Sequence, residues 1–114
     1  MTHICVTDLL TTRFDLYVPK KHMRAEFVSA VIKLAGGATQ SEAVGWWIND
    51  QGDLFKNDVV IVTVFCRRSM PDQVLDVLEQ EVRYLLEQGE ETVALCRDNH
   101  NMKIYGLLAE RKTQ

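Results

Sequence analysis

The run Asp58-Val59-Val60-Ile61-Val62-Thr63-Val64-Phe65-Cys66 is apolar at both phases of a two-residue repeat. A strand with one wet face alternates apolar and polar side chains, so a strand that fails to alternate is covered on both sides. Just before it, Asn49-Asp50-Gln51-Gly52-Asp53 is dense in turn formers, and Thr39 to Ile48 reads as the other arm of a hairpin. Further back, Phe27, Val28, Val31, Ile32, Leu34 and Ala35 recur at helical spacing until Gly36-Gly37 stops the pattern. Before that helix, Thr12 to Val18 alternates, with Phe14, Leu16 and Val18 on one face and Arg13, Asp15 and Tyr17 on the other, and Pro19 ends it.

On the C-terminal side, Ser69 and Pro71 open a second helix. Its apolar stripe is Val74, Leu75, Leu78, Val82, Leu85 and Leu86, its outer face carries Asp72, Asp76, Glu79 and Glu87, and Gly89 closes it. Thr92 to Cys96 is a short strand, Asp98-Asn99-His100-Asn101 a turn, and Met102 to Leu108 a strand that pairs back. The order strand, helix, strand, strand, helix, strand predicts a single α+β domain over residues 1–114, a ferredoxin-like β-α-β-β-α-β sandwich with an added C-terminal strand and room for an N-terminal one. The first and third strands then take the centre of the sheet, and two helices cover one face. The other face of the doubly apolar strand needs a cover, and a second subunit supplies it, so a homo-oligomer, dimer or trimer, is expected.

Composition agrees with that picture. The 114 residues are 25% charged and 46% hydrophobic, enough for one core without metals or disulfides. A net charge of −3 argues against general nucleic-acid binding, which calls for a basic surface. No stretch reaches the ~18 apolar residues of a membrane span and no secretion signal opens the chain, so a cytoplasmic location is expected. Cys5, Cys66 and Cys96 contain no C-x-x-C pair, which speaks against a disulfide framework or a zinc site, and Cys66 and Cys96 read as buried apolar residues.

The segment Gly37-Ala38-Thr39-Gln40-Ser41-Glu42-Ala43-Val44-Gly45-Trp46-Trp47, followed by Gly52, Leu54 and the strand Val59 to Val64, resembles the hairpin of PII-like signalling proteins and CutA-type proteins. The likeness covers roughly residues 12 to 97 and follows the supersecondary pattern. It implies a compact homo-oligomer, with sheets packed together and terminal strands laid across neighbours. It does not carry over ATP binding, because the Asn49 to Lys56 turn is short and no nucleotide-binding signature is present. A metal does not carry over either, since no Cys or His falls at ligand spacing. No cofactor is expected.

Candidate sites are few. His3, His22 and His100 are far apart, and pairing Cys96 with His100 as nucleophile and base needs a sharp reversal at Asp98-Asn99. Glu42 and Asp15 sit on strands separated by the third one, which suits solvated or interfacial charges better than an acid and base pair. No catalytic residue is assigned. Trp46 and Trp47 point to opposite faces of their strand, one packing under the helices and the other walling a pocket on the open face, where Gly45 leaves room. Lys20, Lys21, His22 and Arg24 crowd the start of the first helix. The topology gathers Arg13, Arg67, Arg68 and Arg97 at one sheet edge, beside the helix that Ser69 would cap. Arginine forks match carboxylate and phosphate oxygens, so Arg13, Arg67, Arg68, Ser69 and Arg97, with Trp47, form the predicted ligand-binding set for a small anionic or amphipathic molecule. The alternative for the arginines is structural pairing, with the acidic second helix or with Glu110 of another subunit. The function expected is a ligand-binding or regulatory oligomer holding that molecule between subunits, with a protein-interaction module as the alternative and a small enzyme further behind.

Overall fold

In the computed structural model, which describes residues 2–107, the chain runs β1 (Thr12–Pro19), a 3-10 turn (Lys20–His22), α1 (Ala25–Ala35), β2 (Thr39–Ile48), β3 (Leu54–Cys66), α2 (Pro71–Glu87), β4 (Val93–Arg97) and β5 (Asn101–Tyr105). The fold is α+β, and its five strands form one sheet in the order β2-β3-β1-β4-β5 with every neighbouring pair antiparallel. Both helices lie on one face. Phe14, Leu16 and Val18 of β1, Val60, Val62, Val64 and Cys66 of β3, and Val93 and Leu95 of β4 are buried there against Phe27 and Val31 of α1 and the Val74, Leu78, Val82, Leu85 stripe of α2. Their period of two along the strands, and of three to four along the helices, is the reason one side of each element is dry.

Helix ends follow local chemistry. Gly36 takes a left-handed φ of 93° and donates its N–H to Ile32 O, a conformation that costs a residue with Cβ dearly. Pro71 occupies the first turn of α2, where its missing N–H leaves no bond unmade. Ser69 does not cap α2 as the sequence reading had it. Met70 holds the cap position with no side-chain bond, and its N–H goes to Arg67 O in a turn that carries Ser69 outside the helix start.

The hairpin of β2 and β3 is longer than predicted. β3 begins at Leu54 rather than Asp58, and the β2 register runs unbroken from Thr39 opposite Thr63 to Ile48 opposite Leu54. The turn is held by Asn49, whose Oδ1 accepts from the N–H groups of Gln51 and Asp53, with Gly52 at φ 86°. β1 pairs with β3 only from Val59 to Cys66, so the hairpin beyond that point is a two-stranded ribbon outside the helical layer. This is why Trp46 does not pack under the helices: its phase points to the helix side, but no helix reaches it and it stays 62% exposed.

At the other edge, left-handed Asp98 and Asn99 reverse the chain, and β5 pairs Tyr105 with Val93 and Asn101 with Arg97. The predicted final strand is thus present but starts one residue earlier and ends at Tyr105, and Leu108 lies outside the described residues. The N-terminal strand is not formed. Residues 2–11 hold no regular structure and touch the sheet through the Thr11 N–H on Cys66 O.

Candidate functional site

The face of the sheet away from the helices carries the side chains of the opposite phase. Across it run Ala43 opposite Val59, Ser41 opposite Ile61, Tyr17 opposite Ile61 and Ala94, and Ala94 opposite Ile104. Phe65 is 44% exposed, and Met102 and Ile104 are more so, with no element of the described chain above them. Asp15 sits in this face and is 1% exposed. Its carboxylate accepts from Arg13 Nε at 2.8 Å and Nη2 at 3.1 Å and from the Thr63 hydroxyl at 2.5 Å. The hydrogen bond to Asp15, helped by its negative charge, raises the pKa of Arg13 above its ordinary value. The sequence reading placed Asp15 as a solvated or interfacial charge. It is instead a buried carboxylate whose lone pairs are filled from its own sheet, the condition under which a buried charge is tolerated.

At the base of the ribbon the open face deepens into a cleft of about 450 Å³. Tyr17 and Pro19 of β1, Gly45 and Trp47 of β2, Asn57 and Val59 of β3, and Ala94 of β4 form its floor, with Met102 of β5 at one side. The loop after α2 brings Glu90 and Glu91, and Lys21 comes from the 3-10 turn. Trp47 stacks on Phe55, its cross-strand partner, with ring centroids 4.3 Å apart and planes 17° from parallel. The outward tryptophan of the sequence reading is therefore Trp47, and it does stand beside Gly45 on the open face. Glu90 is held by Lys21 at 4.0 Å and His22 at 3.4 Å. A volume of this order is in the range of small-molecule sites, and the mixture of ring surface with a few polar groups is usual for them.

The register brings the predicted arginine positions to one end of the sheet, since Thr12 faces Cys66 and Phe14 faces Arg97, but Arg97 shares the helix-side phase of Phe14 while Arg13 lies on the open face. Most of the arginines' charge is already met. Arg13 is bound to Asp15, Arg67 donates from Nε and Nη2 to Asp8 Oδ2 at 2.9 and 2.7 Å, and Arg97 Nε stands 3.9 Å from Asp98 while its guanidinium lies 5.4 Å from the Phe14 ring. Arg68 is exposed and is the arginine of this edge with no carboxylate within 4.0 Å among the described residues. The expected alternative partners on α2 are not used, and Glu110 lies outside the described residues.

Two interactions were not legible from spacing. Arg24, grouped with Lys20, Lys21 and His22 at the α1 start, forks onto the 2%-exposed Glu81 of α2 with Nη2 to Oε1 at 2.7 Å and stacks 3.8 Å from the Tyr84 ring centroid. Lys20 donates to Glu42 at 2.7 Å, and that bond lowers the Glu42 pKa from its ordinary value. Among the described residues, no group of three or more His, Cys, Asp and Glu is placed to hold a metal ion. No helix among them is long and apolar enough to cross a membrane. Cys66 and Cys96 are buried, and burial pushes the Cys66 thiol up.

No family model matches the chain and no curated protein matches it. The fold is similar to a solved structure described as a phage SAM lyase in complex with S-methyl-5'-thioadenosine, with a TM-score of 0.60 and 15% sequence identity. The likeness covers 93% of this chain and 98% of that one. At this identity it is evidence about the fold alone.

Proposed function

We propose that the chain is a ferredoxin-like subunit of a homo-oligomer that holds a small amphipathic molecule in the Trp47 cleft at a subunit interface. The sheet order, with β1 and β3 central and β5 added outside β4, supports that topology. The observation that carries the functional reading is the continuity of the cleft with the open apolar face. From Val59 in the floor of the cleft the apolar phase runs on through half-buried Ile61 to exposed Phe65, and from Met102 at its side to exposed Ile104. A second subunit laid on that face covers them and roofs the cleft in one step. The likeness to PII-like and CutA-type proteins enters at the level of architecture alone.

The chemistry of the lining selects among ligands. Glu90 and Glu91 outnumber Lys21, so the cleft suits a neutral or cationic molecule with a flat ring better than an anion. A nucleoside thioether is such a molecule, and the similar solved structure favours it by the ligand it holds. In this chain a purine would lie on Trp47 and its ribose hydroxyls would donate to Glu90 or Glu91. The arginine edge is the second seat considered, for an anion at Arg68.

Calorimetric titration with S-methyl-5'-thioadenosine, SAM, adenosine and a set of anionic metabolites tests this reading. Trp47→Ala is expected to weaken binding of the purine ligands at least tenfold, the loss of a ring-stacking contact, with subunit number unchanged. Replacing Arg67 and Arg68 by Ala is expected to leave it unchanged. Binding lost in the arginine variant and kept in Trp47→Ala would move the site to the sheet edge. An intact oligomer that binds none of the set would favour an interaction module instead.

A further inference from the structure

Glycine weakens the interior of a strand, because it brings no side chain to pack and has the most backbone freedom to lose. Gly45 nevertheless sits well inside β2, paired with Asn57, and the backbone conformation does not ask for it. Gly36, Gly52 and Gly89 take positive φ values, and Gly45 does not. Packing within the chain does not ask for it either. A Cβ added at Gly45 would meet Val59 Cγ1 at 3.7 Å and Asn57 O at 3.9 Å, both ordinary van der Waals contacts. A side chain there would grow into the cleft, since Gly45 shares the open-face phase of Trp47 and Val59 and all three line it. A strand glycine that neither φ nor internal packing requires marks a place where something from outside the chain comes close to the backbone.

We infer that Gly45 is the specificity-determining position of the cleft: its bare backbone leaves room beside Trp47 for a fused two-ring heterocycle, and any side chain there narrows the cleft without disturbing the fold. The inference rests on the Trp47 cleft as a ligand site and adds which of its positions selects the ligand. Trp47 is braced by Phe55 at 4.3 Å between ring centroids, so the wall beside the gap is held in place. An indole offers two fused rings of stacking surface, which a purine covers more fully than a pyrimidine does. The purine is therefore the ring that reaches over Gly45. In an apolar pocket one added carbon changes binding by about 10- to 200-fold, so a single methyl group at this position is enough to be read.

Gly45→Ala and Gly45→Val test it against the wild type by thermal unfolding, sedimentation and calorimetric titration with S-methyl-5'-thioadenosine and its uridine counterpart. Both variants are expected to keep the subunit number and to unfold at or above the wild-type midpoint, since Ala and above all Val suit a strand better than Gly. Binding of S-methyl-5'-thioadenosine is expected to weaken about tenfold in Gly45→Ala and further in Gly45→Val, with the uridine compound losing less. A lower midpoint in Gly45→Ala would overturn the inference, because the fold would then need the glycine. Loss of subunits in Gly45→Val would overturn it too, because a neighbouring chain would then fill the gap. Wild-type affinity in both variants, or equal losses for the two nucleosides, would overturn the role of Gly45 and leave the Trp47 cleft standing. A wild type that binds neither nucleoside would instead overturn the ligand reading itself, and this inference with it.

Discussion

Asp15 shows how a single residue can be read correctly in place and wrongly in environment. The alternation of β1 assigns it to the open face, and the structure agrees, but spacing cannot tell that Arg13 and Thr63 will close over it. The pair Arg13 and Asp15 is two positions apart on one strand face, and Thr63 arrives from a strand 48 positions on. With Asp15 lost, the partly buried Thr63 hydroxyl loses its acceptor, while the Arg13 guanidinium, 38% exposed, turns to water. Asp15→Ala is expected to destabilise the chain by about 1–3 kcal/mol, whereas Thr63→Val, which keeps the shape, should cost about 1 kcal/mol. Chemical denaturation of the two variants checks the order, and equal costs would mean that the carboxylate is not the centre of the cluster. Arg24 and Glu81 were missed for the same reason: they lie 57 positions apart, and only the crossing of α1 over α2 makes them partners.

Among the elements, those bounded by strong turn formers were legible almost to the residue. The β2 bounds Thr39 and Ile48, set by Gly36-Gly37 before and the Asn49 turn after, are those read from the sequence although no β2 residue is buried, and Gly36 ends α1 where it was expected to. The start of β3 was not, because Leu54 to Asn57 pair with β2 in the open and carry no core-facing alternation. β5 is pinned by one polar contact. Tyr105 Oη donates to Glu79 Oε2 of α2 at 2.7 Å, and burial together with that bond pushes the hydroxyl pKa from 10.0 up to about 12. A raised pKa favours the protonated form in the folded state, so the contribution is fully present below pH 10 and is lost as pH rises through about 12. The unfolding midpoint of the wild type is therefore expected to fall across that window. Tyr105→Phe, which has no proton to lose, should fall less, and equal slopes would show that the contact does not hold β5.

For the whole molecule, the doubly apolar run Asp58 to Cys66 remains the most informative stretch. Val60, Val62, Val64 and Cys66 make the core with α1 and α2, and Val59, Ile61 and Phe65 lie on a face that nothing in the described chain covers. The cleft could be located only from the structure, because Tyr17, Trp47, Asn57, Glu90 and Met102 come from five separate segments. Trp47 was the one member whose sequence context, a tryptophan beside Gly45 on the open phase, marked it in advance. Everything proposed for function depends on that face being an interface between subunits. Sedimentation equilibrium at micromolar concentration tests it most directly: the expected species has a mass that is a multiple of 13.1 kDa, and a single species of 13.1 kDa would contradict it.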